Sequence, residues 1–227
     1  SDHPEVPGRW QYYGVSLPFW RSYDKEDPRR EFFYYDYTGD AKRDDQSDYG
    51  FHYMVPEEGV TVVPNDTTKY MQNVATMKYT YDMISDAYYD GRTICIFRLS
   101  DVILCKAEIE NNLNGPAAAL PYLNQIRARA GAPEYGKHNR FPAPSTKEAM
   151  NDAILKERGY ELVFEFQRRA DLIRFGKYEE VVNAHLKKLG IAQPTNVTSS
   201  LRYFPYPLND AQLNPNLAAE NPSRLPK

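Results

Sequence analysis

Cysteine, histidine and long apolar runs are all scarce in this sequence, and each scarcity removes a class of function. The two cysteines, Cys95 and Cys105, cannot form the multi-bridge framework of a small secreted domain. A single disulfide between them is geometrically possible, but cysteine is among the most buried residue types, so the pair is read as two buried free thiols. The four histidines are scattered, and no pair of short Cys/His spacings could hold zinc. No metal site and no cofactor are therefore expected. No run approaches the roughly 20 apolar residues that span a bilayer, and no charged-then-apolar signal segment opens the chain. The net charge of -3 is spread along the sequence without the basic stripe that would neutralise a phosphate backbone, which argues against nucleic acid as a partner. The opening "SDHPEVPGRW" reads as a cut into a longer chain, with any export signal or lipid anchor expected upstream.

What is present is a 227-residue chain with 41% apolar residues, enough to bury a core. Both tryptophans, Trp10 and Trp20, and a dense set of tyrosines and phenylalanines lie before residue 54, interleaved with Gly, Pro and Asp. That composition predicts irregular loops and short strands. In "FHYMVPEEGVTVVP", Phe51, Tyr53 and Val55 alternate before a Pro-Glu-Glu-Gly turn, then Val60 and Val62 follow, which predicts a hairpin.

From about residue 98 the period becomes helical. In "RLSDVILCKAEIENNLNG", Ser100 or Asp101 can cap a helix whose inward stripe would be Val102, Cys105, Ile109 and Leu113, with Asn114-Gly115 as the stop. Pro116 then opens a second helix carrying Ala119, Leu123, Ile126 and Ala130, closed by Gly131 and Pro133. The two predict a helical hairpin. Ala107, Ala119 and Leu123 fall where a tetratricopeptide unit keeps small and apolar residues, although the unit's early Trp and its Gly-Tyr pattern are missing. Ser145 or Thr146 with Glu148 starts a third helix predicted to run to about Phe175 before Gly176, and "KYEEVVNAHLKKL" gives a short fourth with Val181, Val182, His185 and Leu189 inward. The proline-rich end, "YFPYPLNDAQLNPNLAAENPSRLP", predicts an extended strap over the surface.

The third helix carries Glu157, Glu161 and Glu165 beside an apolar stripe of Leu155, Leu162, Phe166, Ala170 and Ile173. One helical turn can set two carboxylates about 5 Å apart, the separation a retaining glycosidase needs. The acid of such a pair needs a raised pKa, however, and neighbouring arginines push it down. Glu157 and Glu161 repel at i,i+4, whereas Glu161 with Arg158, and Glu165 with Arg168 and Arg169, attract. These groups are therefore read as structural ion pairs. Glu108 and at least one of Glu157, Glu161 and Glu165 are expected to pair with Arg127, Arg129 or Arg158 between helices.

The order of "RLSDVILCKAEIENN", "ALPYLNQIRARAG", "ILKERGYELVFEFQRRADLIRFGKYE" and "YPLNDAQLNPNLAAENP" resembles the C-terminal half of the SusD/RagB family of nutrient-binding outer-membrane lipoproteins. Upstream, "WRSYDKEDPRR" is similar to the family's short Asp-x-Arg-like segment, carried by Asp24, Asp27 and Arg29. Phe166 departs from the pattern, standing where members commonly have a small residue. The resemblance implies a mainly α, SusD-like scaffold with a tetratricopeptide-like hairpin, irregular aromatic-rich loops and a few short strands. Within one structural unit, residues 1–97 would be the ligand-binding region and residues 98–227 the helical scaffold with its strap. It also implies a lipid-anchored protein of the cell surface that is not an enzyme. Such a protein binds glycans or peptides and delivers them to a TonB-dependent outer-membrane transporter of the SusC type. If the missing family portion leaves apolar surface uncovered, an exposed patch is expected near residues 100–130.

Ligand contacts would then come from the loops. A flat aromatic ring flanked by polar groups suits the apolar C-H face and hydroxyls of a sugar, so Trp10, Tyr12, Tyr13, Trp20, Tyr34 and Tyr35 are the expected contacts. The acids Asp36, Asp40, Asp44, Asp45 and Asp48 do not follow an EF-hand spacing and are read as a solvated loop. The competing reading is a tetratricopeptide-like scaffold that binds only protein.

Overall fold

The structure is a computed structural model that describes residues 14–34, 36–42, 48–54, 68–70, 73–76, 78, 95–188, 198, 204, 206–214 and 216. It is mainly helical and forms two compact units, Ser1–Glu165 and Phe166–Lys227. The change to a helical pattern near residue 98 marks the start of the second α-helix.

In the first unit, β1 (Val15–Ser16) leads into the short α1 (Leu17–Arg21), and a 3-10 helix follows over Pro28–Phe32. Asp27 caps it, its Oδ1 accepting from Arg29 N at 3.0 Å. Next come β2 (Phe33–Tyr34), β3 (Asp36–Lys42), β4 (Asp48–Met54), β5 (Thr68–Tyr70) and β6 (Asn73–Thr76). β6 sits between β1 and β2, antiparallel to both, while β4 sits between β3 and β5. β4, the first arm of the expected hairpin, pairs antiparallel with β3, which precedes it, and parallel with β5. Residues 55–67, with the expected turn and second arm, lie outside the described residues.

The helices are α2 (Leu99–Asn114), α3 (Pro116–Ala130) and α4 (Lys147–Glu161). Gly115 at φ 89 joins α2 to α3, and Gly131 in the left-handed conformation closes α3. The tetratricopeptide-like positions Ala107, Ala119 and Leu123 are all fully buried. The rest of the α2 stripe is corrected. Val102 is 61% exposed, and Ile109 and Leu113 are exposed with it, whereas Ser100, Asp101, Leu104 and Asn111 turn inward. Buried polar groups decide that face, because each needs a partner inside the fold. Asn111 donates through Nδ2 to Lys147 O and Asn151 Oδ1, both at 2.8 Å, which ties α2 to α4. Neither Cys95 nor Cys105 is in a disulfide, and both are half-buried.

Thr146 caps α4, its Oγ1 accepting from Ala149 N at 3.1 Å. The predicted continuous helix to Phe175 does not form. α4 stops at Glu161, and in the second unit α5 (Arg168–Arg174) begins again. The cause is a pair of distant cations. Lys78 Nζ and Arg98 Nη2 donate to the Glu161 carbonyl at 2.7 and 2.6 Å, so that acceptor no longer draws the amide four residues on. Glu165 N donates to Leu162 O instead, at 3.0 Å, and Phe164 and Phe166 both adopt φ 62. Phe166 is 84% exposed, so it is not part of an apolar stripe.

In the second unit, α6 (Tyr178–Lys188) follows, with Val181, Val182 and His185 half-buried and Leu189 outside the described residues. The expected strap contains a short helix, α7 (Leu208–Leu213), entered from Pro207. No helix among the described residues is long and apolar enough to cross a membrane.

Candidate functional site

Glu157 and Glu161 of α4, and Glu165 just beyond it, meet cations supplied from four separate parts of the chain. Glu157 and Glu161 would repel if left alone on one helix face. The Arg29 guanidinium removes the repulsion, its Nη1 donating to Glu157 Oε1 at 2.7 Å and Glu161 Oε2 at 3.1 Å. Its Nη2 and Nε reach the two Asp27 oxygens at 2.8 and 3.0 Å, so the Asp-x-Arg segment is docked on α4. From α3, Arg127 Nη1 donates to Glu157 Oε2 at 2.8 Å and Arg129 Nη2 to Glu161 Oε1 at 2.6 Å. Arg98 spans Glu161 and Glu165 at 2.6 and 2.8 Å, and Lys78 also pairs with Glu165.

Glu157 is 1% exposed, and Asp27, Arg127, Glu161 and Glu165 are buried too. Burial alone would raise the Glu161 carboxyl. The Arg98 hydrogen bond, with the charges of Arg98, Arg129 and Arg29, outweighs it and holds the group at about 2. Arg29 is driven the other way: burial works against its charge, but Asp27 and Glu157 hold its proton more firmly than usual. Burial lowers Lys78, partly offset by Glu165. A carboxyl held at about 2 cannot serve as a general acid near neutrality.

Of the expected pairs between helices, Arg127–Glu157 and Arg129–Glu161 form. Arg158 pairs with Asp101 at 2.7 Å, and Glu165 with Arg98 and Lys78. Arg168 opens α5 in the second unit, and Arg169 lies over the rings of Tyr178 and Phe204 at 5.5 and 4.5 Å. Glu108 lies half-buried on α2, while the pairs formed by Arg127 and Arg129 go to Glu157 and Glu161. Sequence reasoning missed Arg98 and Lys78 as partners because no local spacing links them to α4.

Against this network opens a cleft of about 570 Å³. Its apolar wall is made by Tyr23, Phe32, Phe33 and Tyr160, and its polar rim by Arg98 and Arg129. Phe32 is 56% exposed. Tyr23 stacks on Tyr160 with ring centres 4.2 Å apart and donates to Tyr160 O at 3.0 Å. Burial pushes the Tyr160 hydroxyl up to about 12, so it stays a neutral donor, and it bonds the Ser22 carbonyl. A concave apolar wall with a few fixed polar groups can hold a small organic ligand.

Of the expected aromatic contacts, Trp20 is corrected. It is 5% exposed, packed with Val15, Tyr23, Phe33, Val74 and Tyr160, and Arg30 covers its ring at 4.1 Å. Trp10, Tyr12, Tyr13 and Tyr35 lie outside the described residues, as does the Tyr34 side chain. Phe32, Tyr23 and Tyr160 line the cleft instead. The run of aromatics in "REFFYYDY" was the available signal for Phe32, but nothing in it distinguished that ring from its neighbours.

The profile of the SusD family matches residues 12–223. Among curated proteins, the chain is 39% identical over 120 residues to the SusD-like protein P25 of Formosa agariphila, covering 53% of this chain and 22% of that one. It is 28% identical over 137 residues to the starch-binding protein SusD of Bacteroides thetaiotaomicron, covering 60% and 22%. The matched stretches thus span less than a quarter of either relative. A solved SusD superfamily protein from Bacteroides vulgatus is 29% identical over 53% of this chain and 25% of its own, with a TM-score of 0.42.

Proposed function

Because the chain belongs to the SusD family, we propose that it is part of a cell-surface protein that binds glycan or peptide nutrients. It passes them to a TonB-dependent outer-membrane transporter of the SusC type, and a lipid anchor holds the protein at the outer membrane. The family match over residues 12–223 is the observation that carries this reading. The chemistry of the buried glutamates agrees with a binder that is not an enzyme: Glu157, Glu161 and Glu165 are each committed to a cation, and Glu161 is held at about 2.

Ligand would meet the aromatic wall of the 570 Å³ cleft, with Phe32 as the accessible platform and Arg98 and Arg129 as donors to hydroxyls. Trp10, Tyr12, Tyr13, Tyr34 and Tyr35 are proposed as further contacts from residues 1–97, with residues 98–227 as the supporting scaffold. The test is a panel of polysaccharide affinity gels with the wild type, Phe32→Ala and Trp10→Ala. Retention on at least one glycan, reduced by either substitution, is expected. No retention on any polysaccharide refutes the glycan reading and leaves peptides, to be screened by the same variants.

A further inference from the structure

We propose that a second cleft in the first unit, of about 430 Å³ and lined by Lys25, Arg127, Arg140 and Lys156, binds a small oxyanion, free or as a substituent of a larger ligand. The inference rests on this cleft's own geometry and is independent of the glycan reading. Four cations line it against two carboxylates, Asp24 and Asp27. Asp27 is already spent, both its oxygens accepting from Arg29. Asp24 Oδ1 accepts from Arg140 Nη2 at 3.0 Å and from Glu26 N at 2.9 Å, and Glu26 also reaches Arg140 at 2.8 Å. Lys25 and Lys156 are exposed, Lys156 resting over the Tyr160 ring at 5.7 Å.

Arg127 is the distinctive group. It is 2% exposed, with Nε donating to Pro133 O at 2.5 Å and Nη1 to Glu157, but its buried Nη2 has no hydrogen-bond partner. The rings of Tyr135 and Phe141 lie 4.9 and 4.6 Å from its Cζ. A buried guanidinium N-H without an acceptor is costly, and an oxyanion supplies the acceptor that fits it best. Lysines at the mouth add charge without a fixed fork, so they attract an anion without dictating its shape.

Calorimetry of the full chain in a chloride background of constant ionic strength tests this, using inorganic phosphate, inorganic sulfate and glucose 6-phosphate. Saturable binding is expected, with the Arg127 side-chain nitrogen signals moving on titration. Equal affinity for phosphate and glucose 6-phosphate identifies a free-ion site; tighter glucose 6-phosphate identifies a substituent site. The double variant K25Q/K156Q, altered only at exposed positions, should bind about tenfold more weakly or worse. Absence of saturable binding with all three probes, or affinity unchanged in the double variant, overturns the proposal.

Discussion

Replacing Arg29 with methionine tests the central claim that α4 is held by ion pairs rather than by apolar packing alone. The guanidinium makes four charge-assisted side-chain bonds, two to Asp27 and one each to Glu157 and Glu161. Its loss leaves three buried carboxylates with fewer partners, but not equally. Glu157 keeps Arg127, and Glu161 keeps Arg98 and Arg129, whereas Asp27 loses both of its guanidinium bonds and retains the Arg29 backbone amide. Breaking a buried pair on one side costs about 3–5 kcal/mol, a large share of the ~5–15 kcal/mol that holds a domain together. In urea denaturation followed by circular dichroism, Arg29→Met should lose that amount near neutral pH. Adding Asp27→Asn should recover part of it by removing the stranded charge. The pH dependence is a second signature. Glu161 sits at about 2 when folded against an ordinary 4.5, so its stabilisation is present above about 4.5 and is lost as pH falls toward 2. Without the Arg29 charge the Glu161 carboxyl is less depressed, so the gap between wild type and variant should be widest above pH 4.5 and close on acidification. A cost under about 1 kcal/mol, or a gap that does not change with pH, would refute the ion-pair account.

Four further outcomes are expected. Glu161→Gln should flatten the acid limb of the stability curve, because the wild-type carboxylate contributes about 3 kcal/mol between its ordinary 4.5 and its folded value of about 2; acid titration of the two proteins side by side measures this. Gly131→Ala should cost about 1–2 kcal/mol in equilibrium unfolding, since Gly131 has φ 71 and a Cβ there would lie 3.3 Å from Pro28 Cγ. Phe166→Gly should stabilise by up to about 1 kcal/mol by relieving a left-handed backbone at an exposed position. Phe164→Gly, at the same φ but packed against the core, should destabilise in the same assay.

Three of the local cap signals were legible, but the start of α2 was not: it opens from Arg98 without a side-chain cap, and Ser100 and Asp101 lie inside the helix. Asn114-Gly115, Gly131 and Thr146 fall at the ends of α2, α3 and α4 as the caps required. Which face of α2 points inward was not legible, since Val102 and Ile109 follow helical spacing as well as Leu104 does, and burial of Asp101 and Asn111 depends on Arg158, Lys147 and Asn151 elsewhere. The end of α4 was hidden for the same reason: Lys78 and Arg98 reach its last carbonyl from far upstream. The structural use of the α4 glutamates could be argued from the sequence, and Arg127 and Arg129 pair with Glu157 and Glu161 as expected, but Arg29, Lys78 and Arg98 could not be named as partners. The candidate cleft was the least accessible feature, because Phe32 and Tyr160 meet only once the chain is folded.

The docking of Asp27 and Arg29 on α4 also sets an order of events during folding. Arg29 bonds residues 128 and 132 positions away, and Tyr23 bonds one 137 positions away. Closing a loop of that length costs about 4 kcal/mol of chain entropy before any contact repays it. The α2–α3–α4 group closes loops of 30 to 40 positions, which costs about 1 kcal/mol less and rests on more local contacts. The N-terminal segment therefore docks last on a preformed α4, so substitutions at Asp27 and Arg29 should chiefly speed unfolding and leave the folding rate nearly unchanged.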